Sequence, residues 1–117
     1  MSEYQLPEDL SLAKELVPLA PQEAQAFLGL KAAAERAGGA IPDKYRELIS
    51  IAVALTTQCS YCIAAHTKNA AKAGATREEI AETVFIAAAL RAGAAVGHGL
   101  LALRLFDEAS PGLAGLD

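Results

Sequence analysis

Apolar positions along this chain recur with a helical period, and runs of alternating Val, Ile, Thr or aromatic residues that would argue for strands are almost absent. Glu8 to Val17 places Leu10, Ala13, Leu16 and Val17 on one side of a short amphipathic helix, expected to stop before Pro18. Pro21 opens a second helix at its first turn, where a missing N–H does no harm. That helix offers Ala24, Phe27, Leu28 and Ala34 as one face and is expected to stop at Gly38-Gly39. Pro42 starts a third in the same way, with Asp43 favourable to the macrodipole and Tyr45, Leu48, Ile49, Ala52, Val53 and Leu55 as its apolar positions.

A break at Thr56-Thr57, with Thr57 as N-cap, begins a fourth helix that runs to Lys72 or Ala73 and ends at Gly74. A capping box, Thr76-Arg-Glu-Glu79, begins a fifth through Ala81, Val84, Phe85 and Ala88. Gly93, Gly97 and Gly99 either divide it from a last helix, Leu100 to Glu108, or allow close helix contact; Ser110-Pro111-Gly112 then closes the fold ahead of a loose tail. The expected class is all-α, about six helices in a single domain over residues 1–117.

Composition sharpens this picture. Apolar residues make up 53% of the chain but aromatics only 5%, so the core must be built from Ala, Leu, Ile and Val. A domain this small and apolar has more greasy surface than it can bury alone, which points to a homo-oligomer. Val84 to Leu103 holds only Arg91 and His98 as ionisable residues; its glycines, the central Arg91 and the lack of flanking Trp or Tyr argue against a membrane span and for burial at a subunit interface. His98 is expected to pack or to lie at an interface. Arg91 is expected to pair with a carboxylate, since an isolated buried charge is costly. The formal charge of −4 and the absence of a basic cluster exclude nucleic acid as a partner. The polar, acidic start, Met1 to Asp9, carries no secretory signal, so the expected location is cytoplasmic.

Without export, two nearby cysteines read as a reversible redox pair or as metal ligands before a structural staple. Cys59 and Cys62, with His66 beyond them, share an arc of about 60° on one helix face. Cys59 in the first turn would gain thiolate character from unpaired N–H groups and the positive dipole end, while His66 lies at i+4 from Cys62 and can take its proton. A thiolate that attacks a hydroperoxide becomes a sulfenic acid, which the second cysteine condenses with to form a disulfide. Glu47 could orient His66 or carry the proton away through water. It reaches only if the chain breaks near Thr56-Thr57, because on an unbroken helix it would lie about 18 Å along the axis from Cys59. Tyr61, between the cysteines, is a gate over the thiols or a core ring. The same cysteines could instead be small core hydrophobes, and zinc would have to draw its fourth ligand from Glu47 or His98. The redox reading calls for no metal and no cofactor.

Glu47, then Cys59-Ser-Tyr-Cys62-Ile-Ala-Ala-His66, then Gly74-Ala-Thr-Arg-Glu-Glu79-Ile together resemble the AhpD-like alkylhydroperoxidases of the carboxymuconolactone decarboxylase family, over residues 42–103. The resemblance implies an all-α subunit assembled into trimers or hexamers, with the redox pair near the interface. It also implies peroxidase and disulfide reductase activity in antioxidant defence, driven by a thiol donor such as a lipoyl group. By position it makes Cys62 the peroxide-attacking thiol, Cys59 the resolving one, and His66 with Glu47 the proton relay, whereas the dipole argument favours Cys59 as the more acidic thiol. The well-studied peroxidases of this type have a histidine where Tyr61 stands, which puts the rate of peroxide turnover in doubt. Two alternatives share the fold: a decarboxylase-like enzyme using His66 or His98 as acid or base, and a non-catalytic oligomeric redox sensor.

Overall fold

The computed structural model describes residues 6–110 and, among these, contains helices and turns with no strand. A 3-10 segment, Pro7–Leu12, leads into α1 (Ala13–Leu19), followed by α2 (Pro21–Ala34), α3 (Asp43–Thr57), α4 (Ser60–Lys72) and α5 (Arg77–Ala109). The proposed closing turn at Pro111-Gly112 and the tail lie outside the described residues.

Several boundaries differ from those expected, each for a local reason. Pro18 sits inside α1 and ends it two residues late, because a proline removes its own N–H bond but leaves the following residues free to complete the turn. Helix α2 stops at Ala34, ahead of Gly38-Gly39; Arg36 caps it by donating to the Ala33 carbonyl at 2.8 Å, and Gly38 takes up a positive φ of 74° in the turn that follows. Thr57 is the last residue of α3 rather than an N-cap. Its hydroxyl and that of Thr56 both donate back to the Val53 carbonyl, Gln58 closes the helix in the left-handed region (φ 59°), and Cys59 becomes the N-cap of α4. The capping box at Thr76 and Glu79 forms as expected.

Helix α5 runs unbroken through Gly93, Gly97 and Gly99, so the separate last helix does not exist. A Cβ at any of the three would meet nothing within 4 Å, so no other helix packs closely there. From Gly93 to Gly99, among the described residues, the helix is therefore held by its own hydrogen bonds.

The core is small and lies where α3, α4 and the first turns of α5 meet. Among the described residues the buried side chains are Ile51, Ala54, His66, Ala70, Thr83 and Ala87. They mark the inward stripes: Glu47, Ile51 and Ala54 on α3; Cys62, His66 and Ala70 on α4; Thr83 and Ala87 on α5. The apolar faces expected for α3 and α5 are rotated away from this core, leaving Val53 55% and Phe85 74% exposed. Both helices are apolar on more than one side, so hydropathy alone does not choose the face.

Candidate functional site

The break between α3 and α4 brings the two halves of the site together. With Gln58 left-handed, Cys59 N–H reaches the Ala54 carbonyl at 3.0 Å and the chain reverses onto α3. Arg91, from α5, donates to the carbonyl of Thr56 in the last turn of α3. Among the described residues of this chain no carboxylate pairs with Arg91; its guanidinium meets an orphan carbonyl at the negative end of a helix, where a cation is favoured.

Cys59 and Cys62 form a disulfide, with Cα atoms 5.3 Å apart. Both sulfurs sit at the start of α4: Cys59 is the N-cap, and its Sγ accepts the Cys62 N–H at 3.3 Å, while Cys62 occupies the first turn. The dipole argument that singled out Cys59 thus applies at least as well to Cys62. Both residues are half-buried.

One turn beyond Cys62, His66 is buried and faces carboxylates on two sides. Glu47 Oε2 lies 2.5 Å from Nδ1, a pairing that spans 19 residues and ties α3 to α4. A carboxylate only accepts, so Nδ1 carries the proton and Nε2 is left to exchange one. Among the described residues no hydrogen bond joins His66 to either sulfur, as fits a disulfide with no thiol proton to give. The acid expected from the sequence therefore stands against the imidazole.

On the Nε2 side, at 4.0 Å, stands Glu35 Oε1, from the residue that caps α2. No motif carries Glu35 in the sequence. The only signal is a carboxylate where a helix ends, at the pole that disfavours negative charge. Glu35, Glu47, Asn69, Lys72, Asp43 and Arg46 line a polar cavity of about 300 Å³ farther along α4 from the cysteines. On its wall Arg46 hydrogen-bonds Asp43 at 2.8 Å and, with the Gly38 N–H, holds the Asp43 carboxyl below its ordinary value.

Tyr61 is half-buried, and its hydroxyl donates to the Leu6 carbonyl at 3.0 Å. It engages the N-terminal segment rather than the sulfurs. His98 is exposed on the unpacked half of α5.

The model of the carboxymuconolactone decarboxylase family matches residues 21–105. The chain belongs to that family. Among curated proteins it is 47% identical over 72 residues to "Uncharacterized protein 4 in cox locus" of Paracoccus denitrificans, a match covering 62% of this chain and 65% of that protein, just under two thirds of the relative's length. A protein of Cupriavidus necator is 34% identical over 87 residues, covering 74% of this chain and 76% of its own. Among solved structures, a carboxymuconolactone decarboxylase family protein from Legionella pneumophila superposes with a TM-score of 0.62 at 32% identity, over 71% of this chain and 73% of that one. A Methanobacterium thermoautotrophicum protein does so at 0.64 and 30%, over 74% and 92%. Helix α2, with Glu35, falls inside the family match, although the resemblance visible in the motifs begins only at Pro42.

Proposed function

We propose that this protein is a thiol-dependent peroxidase and disulfide reductase, acting in antioxidant defence in the cytoplasm. The observation that carries the reading is the disulfide at the start of α4 with a Glu47–His66 pair, its imidazole buried, one turn away. A dithiol donor, such as a lipoyl group, reduces the disulfide by exchange: its thiolate bonds to Cys62 Sγ, and Cys59 leaves as a thiolate that the Cys62 N–H stabilises. The donor's second thiol then displaces Cys62, giving the cyclic donor disulfide and two protein thiols. Cys62, its proton taken by His66, attacks the outer oxygen of a hydroperoxide; the O–O bond breaks, Cys62 becomes a sulfenic acid, and the leaving alkoxide takes a proton to become the alcohol. Cys59 condenses with the sulfenic acid, releasing water and restoring the disulfide. One dithiol and one hydroperoxide thus yield one alcohol, one water and one donor disulfide.

Dihydrolipoamide-driven reduction of an alkyl hydroperoxide tests this, and Cys62→Ser should abolish it. A protein that cycles with no dithiol and no hydroperoxide would end the reading. Decarboxylation of a carboxylated lactone surviving loss of both cysteines would favour the decarboxylase of the same family instead. Peroxide-driven disulfide formation without turnover would favour a redox sensor.

The acting form in this reading is a homo-oligomer, trimer or hexamer, built on the exposed half of α5. By length and hydropathy α5 could cross a membrane, and just 6% of its most apolar window is buried within the chain. Its first turns, however, are packed by α3, and Arg91 is committed to Thr56. Only twelve residues then separate Arg91 from Arg104, about 18 Å of helix against the roughly 30 Å of a bilayer core. A second copy covers such a surface without stranding either arginine.

A further inference from the structure

We propose that Glu35 is a positioning residue for His66, holding the imidazole from the Nε2 side and stabilising the positive charge it acquires with the thiol proton. This rests on the reading of His66 as the base of a thiol cycle. Three observations meet on it. Glu35 Oε1 is 4.0 Å from Nε2, the ring nitrogen that Glu47 leaves free. That distance is too long for a hydrogen bond and short enough for one charge to feel another in a half-shielded site. The His66 side chain is only 10% exposed, so the proton it receives enters a place with little water to spread the charge.

The second observation is local. Glu35 caps the C-terminal end of α2, where the helix itself disfavours a carboxylate, and Arg36 beside it already satisfies a terminal carbonyl. Its side chain is kept in place by Lys31 one turn back, Nζ to Oε1 at 2.9 Å. A residue that breaks its element's rule and is still held in one orientation points to a role beyond the element. The third is the cavity. Glu35 and Glu47 both line it, together with Asn69 and Lys72 of α4, so the two carboxylates flanking His66 open onto the same polar space. Along α4, Cys62 and His66 come before Asn69 and Lys72, which puts the sulfurs at one end and the cavity at the other.

The charged groups around the ring are Glu47 from α3 and, from the end of α2, Glu35 with Lys31, the cation paired to it. Asp43 and Arg46 on the cavity wall bond to each other, and Lys72 on α4 is one turn past Asn69. Glu35→Gln keeps the shape and removes the one charge in question. In the full chain it should lower kcat for dithiol-driven hydroperoxide reduction roughly ten-fold, less than the hundred-fold or more lost with a group that transfers the proton itself. KM for the hydroperoxide should hold. The lower limb of the pH–rate profile should change along with the rate, because the charge facing Nε2 is gone. Glu35→Asp, which keeps the charge, should recover part of the rate.

An unchanged kcat and limb in Glu35→Gln overturns the proposal. So does an equal fall at every pH, which a purely structural role would give. Ring-nitrogen NMR of His66 reads the contact independently of turnover. If the unmodified protein reduces no hydroperoxide, the peroxidase reading fails; Glu35 then stands if the pH dependence of those ring signals differs between the unmodified and Glu35→Gln proteins, and falls if it does not.

Discussion

Single residues carry the chemistry, and here the sequence was most informative where a short spacing has one geometric solution. Glu47 and His66 are far apart in the chain, yet a reversal between them puts both on inward stripes, and the 2.5 Å contact follows. Tyr61 had no such constraint: a ring between two cysteines could turn either way, and what decides is the Leu6 carbonyl, 55 residues off in sequence. That bond fastens the 3-10 segment to α4 beside the redox pair. Tyr61→Phe should therefore loosen Pro7–Leu12, read as several-fold faster limited proteolysis within that segment, with α3 to α5 unaffected. Burial, with the nearby Asp9 and Glu8 carboxylates, pushes the Tyr61 phenol above its ordinary value of 10.0. A raised folded value favours the protonated state, so its contribution is complete below the ordinary phenol value and is lost as pH rises through the folded one. Proteolysis of the unmodified chain should accordingly approach that of Tyr61→Phe only in strongly alkaline buffer.

At the scale of the element, end signals were legible and inward faces were not. Thr76 and Glu79 cap α5 as their pattern requires, each bonding the other's backbone N–H, at 3.1 and 2.8 Å. The break after α3 fell one residue later than Thr57 because Gln58, with no intrinsic taste for a left-handed φ, is held there by the reversal and by Cys59 as N-cap. For α5, apolar on all sides, only contacts with α3 choose Thr83 and Ala87 over Val84 and Phe85. Thr76→Ala should cost about 1 kcal/mol, the usual loss for an N-cap, measured by urea unfolding. The backbone N–H of Thr76, then Lys44, holds the Glu79 carboxyl below its ordinary 4.5. A depressed value means stability present above the ordinary carboxylate range and lost as pH falls through the folded value. The stability gap between a Glu79→Ala variant and the unmodified protein, read by the same unfolding, should thus be full at neutral pH and narrow on acidification.

At the scale of the whole molecule, the described surface is larger than one compact chain of this length leaves open. Its radius of gyration is 20.7 Å, against about 13 Å for a compact chain of this length. Its surface is 9250 Å² for 12.1 kDa, where a folded monomer of that mass exposes about 6,000 Å². The excess, roughly 3,000 Å², is the size class that permanent subunit interfaces bury. Val96, Leu100 and Leu103, at 70%, 69% and 62% exposure, make one stripe at i, i+4 and i+7 along the far half of α5, beyond the reach of α3 and α4. Placing two carboxylates on that stripe, Leu100→Glu with Leu103→Glu, removes nothing from the small core but puts charge where a neighbouring copy would pack. Sedimentation of the unmodified protein should give a trimer or hexamer, and the double variant should fall to smaller species while keeping its helix content by circular dichroism. A 12.1 kDa monomer at micromolar concentration for the unmodified chain would overturn the assembly. A double variant that stayed fully assembled would move the interface elsewhere, to the groove between α1 and α2 that Leu16, Val17, Phe27 and Leu28 leave open.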